Sequence, residues 1–366
     1  MTVNPIPRHE DTSNHGGGAT VKFDLSRNEL HLDPLPQVRD IVGRGAATLN
    51  RYPHHQHTAH LIARIAALQE VPRDKVVVGA GIVGVLDGLL HADATTKGST
   101  VFAAPAFDEY APLVARAGGT PVAVDSDPPG SQSLAAVLAR VDASTRQVII
   151  AAPHNPTGAA VSLAELVGFR AALPNRVVLV IDQAYAEFDE AMPSDSVRRL
   201  ITGLGSVVVL RSFSKAYGLA GLRIGYGVCS SADLADRIRS AIPAYSVNSL
   251  ALAAAAESLQ YPHQLRDRVS DVARSRQRLE AFLIRHRMFS GIASQANFVW
   301  LPTTDSQQLF RHARADGILL REYPGLGVRI TVQSNEPVDA LMESLAAFPG
   351  PTRHRAATKA FRHLSV

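Results

Sequence analysis

SVVVLRSFSKAYGLAGLRIGYG, residues 206–227, opens as an apolar run and then, within a few positions, carries two serines, a lysine and an arginine. The β-branched run closing on polar or small residues predicts a buried strand that delivers that end to a surface. The same design recurs in KVVVGAG (75–81), STVFAAPAF (99–107), QVIIAAPHNPTG (147–158) and VVLVIDQAY (177–185). Between these runs, stretches such as Leu134 to Val141 and Leu163 to Leu173 space their apolar residues as helices do. Strands alternating with helices predict an α/β fold, a mostly parallel sheet in a large domain with helices on both faces. Ligands then gather at the carboxyl ends of the strands, where the polar clusters fall.

From about Ser249 the pattern changes to a long helical stretch, Leu250 to His286, with a break expected near Pro262. Shorter elements follow: SQANFVWLP (294–302) and GVRITV (327–332) read as strands flanking a helix from Gln307 to Ala315. This predicts a smaller α+β domain. The expected division is a flexible tail over 1–20, an arm over 21–48 packing with the small domain, a large cofactor-binding domain over 49–248, the small domain over 249–350, and a flexible basic tail over 351–366.

With 366 residues, 46% of them apolar and 19% charged, the chain has the composition of a soluble globular enzyme. Its formal net charge of +4 is spread along the sequence with no aromatic interleaving, which argues against a nucleic-acid partner. A single cysteine, Cys229, excludes an intramolecular disulfide and a cysteine-rich zinc site, and suits the cytoplasm. No secretory signal and no run of membrane-spanning length is visible.

Taken alone, Lys215 is an ordinary lysine after a strand. Its neighbours change that reading: the hydroxyls of Ser212 and Ser214 and the guanidinium of Arg223 can together hold a phosphate, and a lysine beside such a site can reach a phosphate-bearing aldehyde. GAGIVG (79–84) literally matches the dinucleotide-binding pattern, but the next strand ends without the acidic residue that would hold a ribose. His54, His55, His57 and His60 are crowded enough to suggest metal, yet no carboxylate lies nearby at ligand spacing.

The string 211–227 resembles the cofactor-lysine motif of fold-type I aminotransferases that use pyridoxal 5'-phosphate, in particular the histidinol-phosphate aminotransferase branch with its aromatic amino-acid aminotransferases. Further matches follow in the family's order: LSRNEL (25–30), NRYP (50–53), HNPTG (154–158), DQAY (182–185), SQANFVWLP and GVRITV. The resemblance implies that Lys215 binds the cofactor as a Schiff base and later moves the substrate's proton, and that Asp182 pairs with the cofactor's protonated ring nitrogen. Asn155 and Tyr185 are implied at the phenolic oxygen and Phe107 against the ring. The phosphate falls to Ser212, Ser214, Arg223, the turn Gly81, Ile82 and Val83, and Tyr52 from a neighbouring subunit. Arg329 is implied to take the substrate's α-carboxylate, with Arg321 as a second anion contact and Asn28 also on the substrate side. The implied partners are an amino acid and a 2-oxo acid such as 2-oxoglutarate, and the implied assembly is a homodimer with shared active sites.

Taken singly, several of these residues have plainer roles: Asp182 as a helix cap, Asn155 as a turn residue, Phe107 and Tyr185 as core aromatics, Arg329 in a surface ion pair. Three departures stand out. Ile82 and Val83 replace a usual polar pair, His154 replaces Asn, and Gln183 replaces Glu. No tyrosine precedes Tyr52, where histidinol-phosphate aminotransferases carry one for the substrate phosphate, so the donor stays open between histidinol phosphate and aromatic amino acids. A lyase or decarboxylase such as a phosphothreonine decarboxylase, a specialised biosynthetic enzyme, a binding protein without chemistry and a dehydrogenase are the alternatives.

Overall fold

The computed structural model describes residues 20–92, 98–125, 131–203, 205–289 and 291–348. Apart from Thr20, both expected tails lie outside them. The strands are β1 (Phe23–Asp24), β2 (Val76–Gly79), β3 (Ser99–Ala104), β4 (Thr120–Asp125), β5 (Thr145–Ala151), β6 (Val178–Asp182), β7 (Val207–Ser212), β8 (Gly225–Cys229), β9 (Phe298–Pro302), β10 (Ile318–Leu319), β11 (Arg321–Tyr323) and β12 (Gly327–Thr331). Seven of them form one sheet in the order β2-β8-β7-β6-β5-β3-β4. Only β8 runs against its neighbours, pairing antiparallel with both β2 and β7.

The central strands are apolar on both faces because both are covered. On one face Val101, Val148, Ile150, Leu179, Ile181, Val207 and Val209 join a core with the helices His55–Gln69, Leu163–Ala172 and Ser249–Ser258. On the other, Phe102, Ile149, Val180, Val208 and Leu210 pack on Gly81–Ala92, Tyr110–Arg116 and Ala232–Ala241. Fully burying each such side chain stabilises the fold by roughly 1.5–3 kcal/mol, so the strand ends sit on a rigid base. Gly225 tightens this base: a Cβ there would lie 2.7 Å from the amide nitrogen of Ile82, so only glycine lets the start of helix Gly81–Ala92 settle against β8.

The other sheets are a three-stranded antiparallel one, β11-β12-β9, and the parallel pair β1-β10. One face of the three-stranded sheet sends Val299, Leu301, Val328 and Ile330 into a core shared with helices Pro262–Arg285, Ser306–Ala315 and Asn335–Ala347. The break expected near Pro262 is real, Pro262 being the first residue of its helix.

Strand expectations change in two ways. β1, β4, β8, β10 and β11 are not among the expected strands: β1, β10 and β11 are only two or three residues long, β4 is an edge strand with little burial, and β8 is interrupted by glycine. The strand expected over 294–302 begins only at Phe298, because Ser294 is committed to a turn, its Oγ donating to Phe298 O at 2.6 Å and accepting from the Ala296 amide at 3.2 Å. Among the described residues no helix is long and apolar enough to cross a membrane.

Candidate active site

Asp182 is the last residue of β6 and is buried. One carboxylate oxygen accepts a hydrogen bond from the Tyr110 hydroxyl at 2.6 Å, and the other accepts from the Ala184 amide at 3.0 Å. Burial raises its pKa above the usual carboxylate range, opposed by those two hydrogen bonds and by the nearby Lys215. Lys215 follows β7, and its Nζ donates to the carbonyls of Asn28 at 3.1 Å and Arg27 at 3.2 Å. Desolvation, then Arg329 and Arg223, bring its ammonium down to about 7, against the opposing pull of Glu29 and Asp182. A lysine so placed is a ready source of neutral amine.

Asn28 ties the N-terminal segment across this site. Its side chain donates to the Tyr185 hydroxyl at 2.9 Å and accepts from Thr331 Oγ1 at 3.1 Å, while its own amide donates to that same Oγ1 at 2.8 Å. Its φ of 54° lies in the left-handed region, which Asn tolerates better than most residues. Tyr185 meets Phe298 edge-on with ring centres 5.0 Å apart, and burial pushes its hydroxyl up to about 12.

The other end of the site places a helix N-terminus beside a guanidinium. Gly81 opens the helix Gly81–Ala92, whose first amides have no carbonyl partner within the helix, and Ile82 and Val83 follow it. Gly81 has φ +71°, and a Cβ there would lie 2.8 Å from Arg223 Nη2, so the guanidinium fits over a backbone bare of side chain. Arg223, itself at φ 56°, donates from Nη1 to Ala220 O at 3.0 Å. Ser212 and Ser214 are buried beside it, the Ser214 amide donating to Ser212 Oγ at 3.0 Å.

Arg329 leaves the middle of β12 and is buried. Nη1 donates to Asn155 Oδ1 at 2.7 Å and Nη2 to the Ser26 carbonyl at 2.5 Å, while Nε has no partner. Arg321 is instead engaged by Asp108 at 2.9 Å. Phe107 packs edge-on against Tyr110 at 5.5 Å. Tyr52 stands apart, 80% exposed and in ring contact with Tyr245 at 4.8 Å. With Pro53, His54, His55 and Val247 these two tyrosines line a separate cleft of about 500 Å³ that contains none of the groups around Lys215.

His154 is buried and neutral, its pKa lowered to about 4 by desolvation, with Nδ1 2.8 Å from Thr157 Oγ1. Among the other histidines, His54 caps the helix His55–Gln69 and His60 contacts Arg64. Among the described residues no group of three or more His, Cys, Asp or Glu is placed to hold a metal.

Several functional neighbours escaped sequence reasoning. Tyr110 lies 72 residues before Asp182, and only the fold brings the two together. Thr331 and Asn297, which anchor Asn28, lie far from it in sequence. Gln183 finds its reason in Arg211, whose Nη1 donates to Gln183 Oε1 at 3.0 Å while Nη2 pairs with Glu187 at 3.3 Å. Glu187 already supplies the carboxylate, so an amide suffices at 183.

Residues 20–345 match the family model for class I and II aminotransferases. The chain belongs to that family. This aminotransferase is 41% identical to an aromatic amino acid aminotransferase of Rhodococcus opacus (strain B4), the alignment covering 87% of this chain and 88% of that one. It is 38% identical to an aromatic amino acid aminotransferase of Thermobifida fusca (strain YX), over 89% and 90% of the two chains. Among solved structures it resembles histidinol-phosphate aminotransferase from Sinorhizobium meliloti in complex with pyridoxal-5'-phosphate, with TM-score 0.76, 26% identity and 90% of each chain covered. The aminotransferase is thus a fold-type I transferase dependent on pyridoxal phosphate, and its GAGIVG turn belongs to that fold rather than to a dinucleotide-binding one. The residues present fit the cofactor: a cradle bare of side chain beneath Arg223 for an anion, a lysine amine lowered to about 7, and a buried carboxylate electrostatically coupled to that lysine.

Proposed function

We propose that this aminotransferase takes its amino group from an amino acid with an aromatic side chain and passes it to a 2-oxo acid such as 2-oxoglutarate. The carrying observation is the setting of Arg329. Its guanidinium lies 5.6 Å from the Phe298 ring centre and 3.5 Å from the Tyr323 hydroxyl, with Trp300 edge-on to Tyr323 at 5.4 Å. A guanidinium ringed by aromatics suits a ligand with a carboxylate at one end and an apolar body. The relatives named aromatic amino acid aminotransferases agree with it.

Bound pyridoxal phosphate supplies an electron sink that lets the substrate's α-proton leave. The protein's task is to hold, orient and move protons. Lys215 Nζ would hold the cofactor covalently and, once released, carry the proton as a base, a role eased by its lowered pKa. Asp182 would keep a ring-nitrogen proton in place through its charge, its own orientation fixed by Tyr110 and Ala184. Tyr185 and Asn155 would donate to the phenolic oxygen, and Phe107 would lie against the ring. Gly81, Ile82 and Val83 would offer amides to the phosphate, with Ser212, Ser214 and Arg223 alongside. Arg329 would exchange the Ser26 carbonyl for the substrate's α-carboxylate, and Asn28 would border that substrate.

Tyr52, Tyr245 and Leu49 are large, apolar and at least 65% exposed, an arrangement that supports burial against a second copy, with Tyr52 lent to the neighbour's phosphate. The lone, buried Cys229 supports a reducing, cytoplasmic setting. A panel of donors with 2-oxoglutarate tests the substrate reading: phenylalanine and tyrosine are expected to give the highest kcat/KM. A higher value for histidinol phosphate would overturn it. Borohydride reduction followed by peptide mass spectrometry is expected to place the cofactor on Lys215, and label elsewhere would reject that assignment.

A further inference from the structure

Arg321 and Arg329 are directly opposite partners in the antiparallel pairing of β11 with β12, so both side chains leave the same face of the sheet. Tyr323, two residues along β11, lies between them: its ring centre is 5.6 Å from the Arg321 guanidinium, and its hydroxyl is 3.5 Å from Arg329 Nη1. That face therefore offers two cations side by side. Only one is needed for an α-carboxylate, and a second beside it would draw in a substrate whose side chain also ends in an anion. Asp108 alters this balance. It sits in the connection after β3, next to Phe107, and reaches from the large sheet to pair with Arg321 at 2.9 Å.

We propose that Asp108 is a specificity-determining residue, holding Arg321 as a neutral pair so that the site favours side chains without a second anionic group. The inference rests on the reading of Arg329 as the α-carboxylate partner. The pair is partly exposed, 20% for Arg321 and 42% for Asp108, so it contributes little to stability. Its influence is on which ligand charge is welcome. An amino acid with an aromatic side chain leaves the pair undisturbed, whereas a dicarboxylic partner must either meet the Asp108 carboxylate or take Arg321 from it. The same effect makes a dicarboxylic 2-oxo acid a weaker ligand than the positive charge of the face alone would suggest.

The test uses holoenzyme of the wild type and of Asp108→Asn and Asp108→Ala. kcat/KM is measured for glutamate and for phenylalanine, and dissociation constants for two unreactive acids, maleate and 3-phenylpropionate, are read from the absorbance of the bound cofactor. The glutamate-to-phenylalanine ratio is expected to rise by about tenfold in both variants, the scale of one unscreened charge at a partly exposed site. Maleate should tighten by a similar factor while 3-phenylpropionate does not, and adding Arg321→Gln to Asp108→Asn should abolish the gain. A ratio within about twofold of wild type in both variants, including the case where both donors fall together, would overturn the proposal, as would a gain that survives loss of Arg321. Wild-type preference for glutamate over phenylalanine would instead overturn the aromatic reading, since the role of Asp108 is judged only on the change between variant and wild type.

Discussion

The strand ends of the seven-stranded sheet and the cleft face of the three-stranded sheet hold their charged groups in opposite ways. Asp182 is fixed at both oxygens, by a tyrosine from a neighbouring helix and by an amide of the next turn, and is buried at the end of a central strand. Arg329 and Arg321 hang from longer side chains and are held by a backbone carbonyl, an amide oxygen and an aspartate. Of these, the Ser26 carbonyl on Arg329 is a neutral acceptor that an incoming carboxylate can replace. A resident cofactor needs a partner that does not move, whereas a substrate that arrives and leaves needs partners that can be exchanged at small cost.

Substitutions on the two sides should therefore fail differently. Lys215→Ala is expected to lower transamination by roughly 10⁴-fold, the upper range for a positioned proton-transfer group, with KM for the donor little changed; single-turnover kinetics would show it. Arg329→Ala should act mainly on KM, raising it by about 10²-fold as a charge-assisted bidentate pair is lost, and an equal fall in kcat would erase the contrast. For Lys215 the lowered pKa has a definite sign. The amine is charged below about 7 and neutral above it, so uptake of pyridoxal phosphate by the cofactor-free protein should accelerate about tenfold per pH unit up to that point and then level off. The same shift means that folding of the cofactor-free protein gains stability as pH rises from about 7 toward the usual lysine value, because the unfolded chain holds the proton longer; denaturant titrations across that window would read it. Tyr110→Phe removes the donor to Asp182 and should weaken cofactor retention by about tenfold, the scale of a hydrogen bond to a charged group, with a smaller change in donor KM. Gln183→Glu is expected to change activity by less than about twofold, since Arg211 already has Glu187, and a larger loss would show that the net charge behind Asp182 matters.

The proposed cofactor side is more legible in the sequence than the proposed substrate side, for a physical reason. Lys215, Asp182 and Ser212 stand at the junction of an apolar strand with a polar turn, and Gly81 at the junction of one with a glycine-rich turn, where a change in local composition marks them. Arg329 and Arg321 lie in short strands on either side of a tight turn, and nothing local reveals that one has Asn155 for a partner and the other Asp108. Tyr110 was hidden similarly, because a tyrosine in a helix facing a sheet looks the same whether its hydroxyl meets water or a carboxylate. The three-dimensional pairing also accounts for Gln183, whose neighbour Arg211 is on the adjacent strand.

Asn28 draws its support from the far end of the polypeptide. Thr331 and Asn297 hold it, the Thr331 amide donates to Leu25 O at 2.8 Å, and β1 pairs with β10. During synthesis on the ribosome, Lys215 and Asp182 emerge long before that clasp can form. The geometry around Lys215 is thus completed late in the birth of the molecule, and a nascent chain halted before β12 would carry Lys215 and Asn28 without the Thr331 clasp that fixes Asn28 in place.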